Sequence, residues 1–144
     1  MIRTILADDH VKFRKSLANM LEKSGKVNLL AQAENGNEAF KLVRDHKPDV
    51  AILDITMPGR TGIEVAEKIM DAGLPTNVIL LTTHDDSSLV VLGQKAGAAG
   101  HILKENVFED LLIAVQTVNE GEKFVSSCMA KEVKELNKLT HQDF

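Results

Sequence analysis

Short apolar runs and helically spaced apolar positions alternate along this chain. Arg3–Ala7, Asn28–Ala33, Asp49–Leu53, Asn77–Leu81 and Gly100–Leu103 are mostly apolar and rich in Val, Ile or Leu, as strands buried on both faces should be. Between them, Phe13, Leu17, Met20 and Leu21 fall on one helical face, and Val65, Ala66, Ile69 and Met70 repeat the pattern, as do Leu111, Leu112, Val115 and Val118. Punctuation agrees with the periodicity. Asn35-Gly36-Asn37 precedes the second helical stretch and Lys47-Pro48 ends it, while Gly73, Gly97 and Gly121 follow the later ones. Five strand–helix units joined by short loops predict a doubly wound α/β fold, a five-stranded parallel sheet with helices on both faces. Met129, Val133, Leu136 and Leu139 add a stripe that predicts a C-terminal sixth helix, either packed on its own domain or leading away as a linker. Leu89-Val90-Val91-Leu92 is continuous, so one helical face cannot hold all of it, and some apolar surface should stay exposed there.

Composition excludes several classes. The chain has 144 residues, 44% hydrophobic and 26% charged, the length of one domain that folds without staples. Its single cysteine, Cys128, rules out a disulfide framework and cannot hold zinc alone; a semi-buried apolar contact is the expected role. No apolar run approaches the ~18 residues of a membrane span, and Met1-Ile2-Arg3-Thr4 lacks a secretory layout, so a cytoplasmic domain with no membrane partner is expected. Seventeen Lys and Arg against 21 Asp and Glu leave a net charge of −4, with no Trp and no Tyr, which makes the chain itself a poor nucleic-acid binder. Neither a GxGxxG nor a Walker loop is present, so no nucleotide is expected.

In such a sheet ligands bind at the carboxyl ends of the strands. Asp8 and Asp9 follow the first strand, Asp54 the third, Thr82-Thr83-His84 end the fourth and Lys104 ends the fifth. With strand order 2-1-3-4-5, three carboxylates converge beside a hydroxyl and an amine. Any one of these residues alone reads as a helix cap, a turn former or a solvated surface group. Together they repel unless a cation is present, and carboxylate oxygens favour a hard divalent ion such as magnesium. One carboxylate is then left to act as a nucleophile toward phosphorus.

At these residues the chain resembles the receiver domains of two-component response regulators. The resemblance rests on Asp8-Asp9, on Asp54-Ile-Thr-Met-Pro-Gly-Arg-Thr-Gly62, on Leu81-Thr82 and on Ala96-Gly-Ala-Ala-Gly-His-Ile-Leu-Lys104. Leu-Thr-x-His-Asp-Asp at 81–86 and Ala-Gly-Ala-Ala-Gly at 96–100 are similar to the LuxR/NarL-type branch, whose output is a helix-turn-helix. The resemblance implies a flavodoxin-like receiver fold and a phosphoryl group accepted on Asp54 from a sensor histidine kinase. It implies a site for Mg2+ (or Mn2+) formed by Asp8, Asp9, Asp54 and the backbone carbonyl of Thr56. It further implies that Lys104 pairs with the phosphoryl oxygens, that Thr82 turns toward them and that His101 holds the switch position. Pro58 shapes the loop beside the acceptor, and Thr56, Thr83 and His84 modulate phosphoryl lifetime.

The switch position usually carries Tyr or Phe, so an ionisable His101 predicts a pH-dependent inward or outward preference. The implied layout is a receiver over 1–121 and a helix or linker over 122–144, leading to a DNA-binding output domain absent from this sequence. The expected protein is no turnover enzyme, forms a homodimer on phosphorylation and controls transcription; a stand-alone phosphorelay intermediate or phosphate sink is the alternative. A metal-dependent phosphatase would need an acid where Thr56 stands, and a flavin site would need a hydroxyl- and glycine-rich loop where Asp8-Asp9-His10-Val11 stands. His10 reads as a residue at the start of a helix, and Asp85, Asp86, Ser87 and Ser88 as a capped helix start.

Overall fold

Each expected strand forms within one residue of its expected bounds: β1 is Ile2–Ala7, β2 Val27–Ala33, β3 Val50–Asp54, β4 Asn77–Thr82 and β5 Gly100–Leu103. The structure, a computed structural model, describes residues 1–83 and 87–126, the side chain of Ser87 excepted. His84, Asp85, Asp86, Cys128 and the Met129–Leu139 stripe therefore lie outside the described residues. Helices α1 (Val11–Lys23), α2 (Gly36–His46), α3 (Gly62–Asp71), α4 (Ser87–Lys95) and α5 (Val107–Asn119) connect the strands, with a 3₁₀ turn at Lys104–Asn106. All pairings are parallel, in the order β2-β1-β3-β4-β5-β6.

The sixth strand, β6 (Phe124–Val125), departs from the expected five. Two residues are too few to carry a period-2 signal; tertiary pairing makes this strand. Beyond the pairing, Ser126 N–H donates to the His101 carbonyl at 3.1 Å, and Ser126 Oγ bridges Leu103 N–H and Asp110 Oδ2.

Strand side chains alternate between two cores. Ile5, Ala7, Ala51, Leu53, Val78 and Leu80 pack under α2 and α3, whereas Leu6, Ile52, Ile79, Leu81 and Ile102 pack under α1 and α5. The helical stripes face inward as expected except at Met70, which is half exposed because Val65, Ala66 and Ile69 already fill the α3 face. In α4, Val90 and Val91 are buried and Leu92 is 53% exposed, as a continuous apolar run requires.

Register and caps place the site. Ala7 pairs with Leu53, Asp54 with Leu81 and Thr82 with Leu103, so the carboxyl ends of four adjacent strands lie level. Asn35 Oδ1 accepts from Glu38 N–H to start α2, and Thr61 with Glu64 forms a reciprocal capping box on α3. Between them, the Pro58 carbonyl accepts from Gly36 N–H and Asn37 Oδ1 accepts from Arg60 Nε, tying the β3–α3 loop to α2.

Gly62 closes that loop against β3. Its N–H donates to the Ile55 carbonyl at 3.0 Å, and a Cβ there would stand 2.5 Å from the Asp54 carbonyl oxygen. Gly62→Ala should therefore cost about 1–3 kcal/mol in urea unfolding, the cost of overpacking a filled site. An unchanged midpoint would show that the loop has room to spare.

Candidate functional site

β1 and β3 end one residue apart in register, which brings the acids together. Asp8, the residue after β1, is fully buried; Asp54, the last of β3, is 2% exposed. Asp9 is exposed beside them, and oxygens of Asp8, Asp9 and Asp54 all lie within 4.8 Å of one another. Lys104 arrives from the end of β5 and places Nζ 2.9 Å from Asp8 Oδ2 and 3.1 Å from Asp54 Oδ2. Asp54 Oδ1 accepts from Thr56 N–H at 3.2 Å, and Asp8 Oδ1 accepts from His10 N–H at 2.8 Å. Thr82 is buried at the end of β4, whereas Thr56, Pro58 and Thr83 are exposed around the mouth.

Three formal negative charges meet one positive charge here. At ~4.8 Å and an effective dielectric of ~20, one carboxylate pair repels by on the order of 3 kcal/mol. Burial raises the Asp54 carboxyl above its ordinary range and Asp8 raises it further; Lys104 and the Thr56 N–H pull back without cancelling the rise. Burial alone would lower the Lys104 ammonium, but hydrogen bonding and charge from Asp8 and Asp54 outweigh it and raise it. Asp8 Oδ2 makes the Lys104 ion pair but no further hydrogen bond among the described residues. Hard oxygens, excess negative charge and an under-bonded buried carboxylate fit a hard divalent cation.

The ring of residue 101 points inward. His101 is fully buried on β5, with its imidazole in a notch of α4 that exists because residue 93 is glycine; a Cβ on Gly93 would strike Nε2 and the Leu80 side chain. Neither ring nitrogen has a hydrogen-bond partner among the described residues. Burial lowers this imidazole from 6.5 to about 4.

Sequence reasoning missed Arg14. This buried guanidinium donates to the Asp8 carbonyl at 2.8 Å and to Gln32 Oε1, and pairs with Glu34, so it clamps the acid-bearing loop to β2. The signal was present, since Arg14, Leu17 and Leu21 share the buried face of α1. The Gly93 notch was also missed, although a glycine mid-helix with no breaking role marks a close approach.

Two outcomes follow from these electrostatics. A raised native carboxyl contributes stability below its unfolded value that is lost as pH rises through the native one. Asp54→Asn should accordingly raise the Tm of cation-free protein at neutral pH by about 2–6 °C, with the gain shrinking toward pH 4. A lowered Tm would mean that the Lys104 pair outweighs the repulsion. For His101 the sign is opposite: stability is complete above 6.5 and is lost as pH falls toward about 4. Between pH 7 and 5 the wild type should lose about 2 kcal/mol more than His101→Phe in denaturant titrations. Parallel losses would place the ring in contact with water.

The response regulator receiver domain family matches residues 4–116. The relative named "Probable transcriptional regulatory protein NarL" from Mycobacterium tuberculosis is 37% identical over 125 residues, covering 87% of this chain and 58% of that protein. The solved receiver domain of NarL from the same organism superposes with a TM-score of 0.82 at 37% identity, covering 84% of this chain and 98% of that one. A LuxR-family DNA-binding response regulator from Staphylococcus aureus gives 0.79 at 32% identity over 83% of this chain and 99% of that one. The chain thus spans little more than half the length of the curated relative. With the acid cluster and lysine at the ends of a sheet ordered β2-β1-β3-β4-β5-β6, the chain belongs to the response regulator receiver domain family, among relatives of the LuxR/NarL type.

Proposed function

We propose that the chain is a phosphoryl-accepting switch, charged on Asp54 by a sensor histidine kinase in the cytoplasm. The observation that carries this reading is the Asp54 carboxylate, held by Thr56 N–H and Lys104 beside two further acids. An Asp54 oxygen attacks phosphorus, the P–N bond of the kinase phosphohistidine breaks, and the departing imidazole keeps the bond electrons and takes a proton. The product is an acyl phosphate. Lys104 turns from the carboxylates to the phosphoryl oxygens, and Thr82 supplies a hydroxyl from the adjoining strand end. Magnesium, or manganese, would be held by Asp8, Asp9, Asp54 and the Thr56 carbonyl and would neutralise charge on the transferring group. Each cycle alters the protein itself, so it is no turnover enzyme.

The relatives support a reading of the output as transcriptional control. Engagement of the phosphoryl group by Thr82 vacates space beside the inward His101, and the α4–β5 surface changes with it. That surface favours a homodimer, and a helix-turn-helix output domain beyond the receiver carries the DNA contact. Support comes from the transcriptional role printed for the NarL relative and from its greater length.

Incubation with Mg2+ and acetyl phosphate should give one phosphoryl adduct by intact mass, absent in Asp54→Asn and without divalent cation. The same adduct in Asp54→Asn would move the acceptor elsewhere. Mg2+ alone should stabilise the wild type by about 2.7 kcal/mol at a hundredfold excess over its Kd. A melting curve indifferent to millimolar Mg2+ would contradict the site.

A further inference from the structure

Lys104 has a third neighbour besides its two carboxylates. The Phe13 ring of α1 lies with its centroid 4.7 Å from Nζ, within cation–π range. Phe13 itself meets two further rings. Phe108 of α5 meets it edge-on at 6.4 Å and 79°, and the His10 ring lies near-parallel at 6.3 Å. Phe108 is 56% exposed, so its contact with Phe13 lies at the rim of the site.

We infer that Phe13 is a positioning residue for Lys104, holding the ammonium over the acid pocket by its ring face while Asp8 and Asp54 engage other charges. The inference rests on the reading of Asp54 as phosphoryl acceptor. A lysine is a point charge on a flexible stem, and its aim depends on what surrounds the head group. Among the described residues, its charged neighbours are the two carboxylates, whose oxygens are the same ones a divalent cation and a phosphoryl group would engage. The ring face is used by neither. Phe108 and His10 keep that face turned toward the pocket, so the ammonium stays within reach when its carboxylate partners are withdrawn.

A leucine at position 13 would fill the apolar space of α1 against α5 and lack the ring; a tyrosine would keep both. Phe13→Leu and Phe13→Tyr are therefore compared with wild type by two measurements. The first is the proton shift of the Lys104 ε-methylene in cation-free protein, assigned by its loss in Lys104→Arg. The second is the rate of adduct growth with acetyl phosphate and Mg2+. The expected result is an upfield ε-methylene shift in wild type and Phe13→Tyr that is lost in Phe13→Leu, with adduct growth slowed about two- to fivefold in Phe13→Leu alone. An identical shift in Phe13→Leu, an unchanged rate, or an equal slowing in Phe13→Tyr would overturn the inference. Should Phe13→Leu fail to fold, Phe108→Ala replaces it: partial loss of the shift supports the ring geometry and an unmoved shift overturns it. A wild type that forms no adduct refutes the acceptor reading, and the shift alone then decides whether Phe13 holds Lys104.

Discussion

The Lys104 ion pairs with Asp8 and Asp54 join the ends of β5, β1 and β3 across one charged crevice. A parallel sheet brings the ends of adjacent strands level, so side chains there meet whether or not they attract. Here the sheet brings together three acids, two of them buried, and burial has already raised one. Repulsion on the order of 3 kcal/mol per pair is a large fraction of a domain's stability of roughly 5–15 kcal/mol. The ammonium offsets part of it and leaves the crevice short of positive charge. That deficit makes the site receptive to a cation and to a group carrying one.

The other half of the machinery is apolar. His101 lies in a buried notch under α4, where burial favours its neutral form, and its position depends on the missing side chain of Gly93. The inward ring and the site share the β4–β5 ladder, where Thr82 pairs with Leu103 two residues beyond His101. A charged crevice and a buried ring thus lie two residues apart along one pair of strands.

Local pattern made most of this legible. The five main strands, the break before α2 and the residues at the strand ends follow from apolar runs, glycines and the Asn35-Gly36-Asn37 signal. What stayed hidden depends on contacts between distant segments. Periodicity placed Met70 on the inner face, but Val65, Ala66 and Ile69 leave it no room. An ionisable residue at 101 suggested a pH-dependent ring, but not that both nitrogens would lie unpartnered among the described residues. Arg14 could be placed on the buried face of α1 by spacing, yet its acceptors at Asp8 and Gln32 come from other elements. The two-residue strand β6 exists only because β5 offers it a ladder.

That last strand bears on how the edge of the sheet is closed to other chains. β5 is buried along its whole length, and without a neighbour its outer edge would present amides and carbonyls to any extended chain nearby. Phe124 and Val125 cover part of that edge, and the Ser126 hydroxyl takes the Leu103 amide that the short ladder does not reach. A strand of two residues is long enough to finish the sheet and too short to template another. Among the described residues, this border of the sheet thus offers few backbone groups for another chain to pair with.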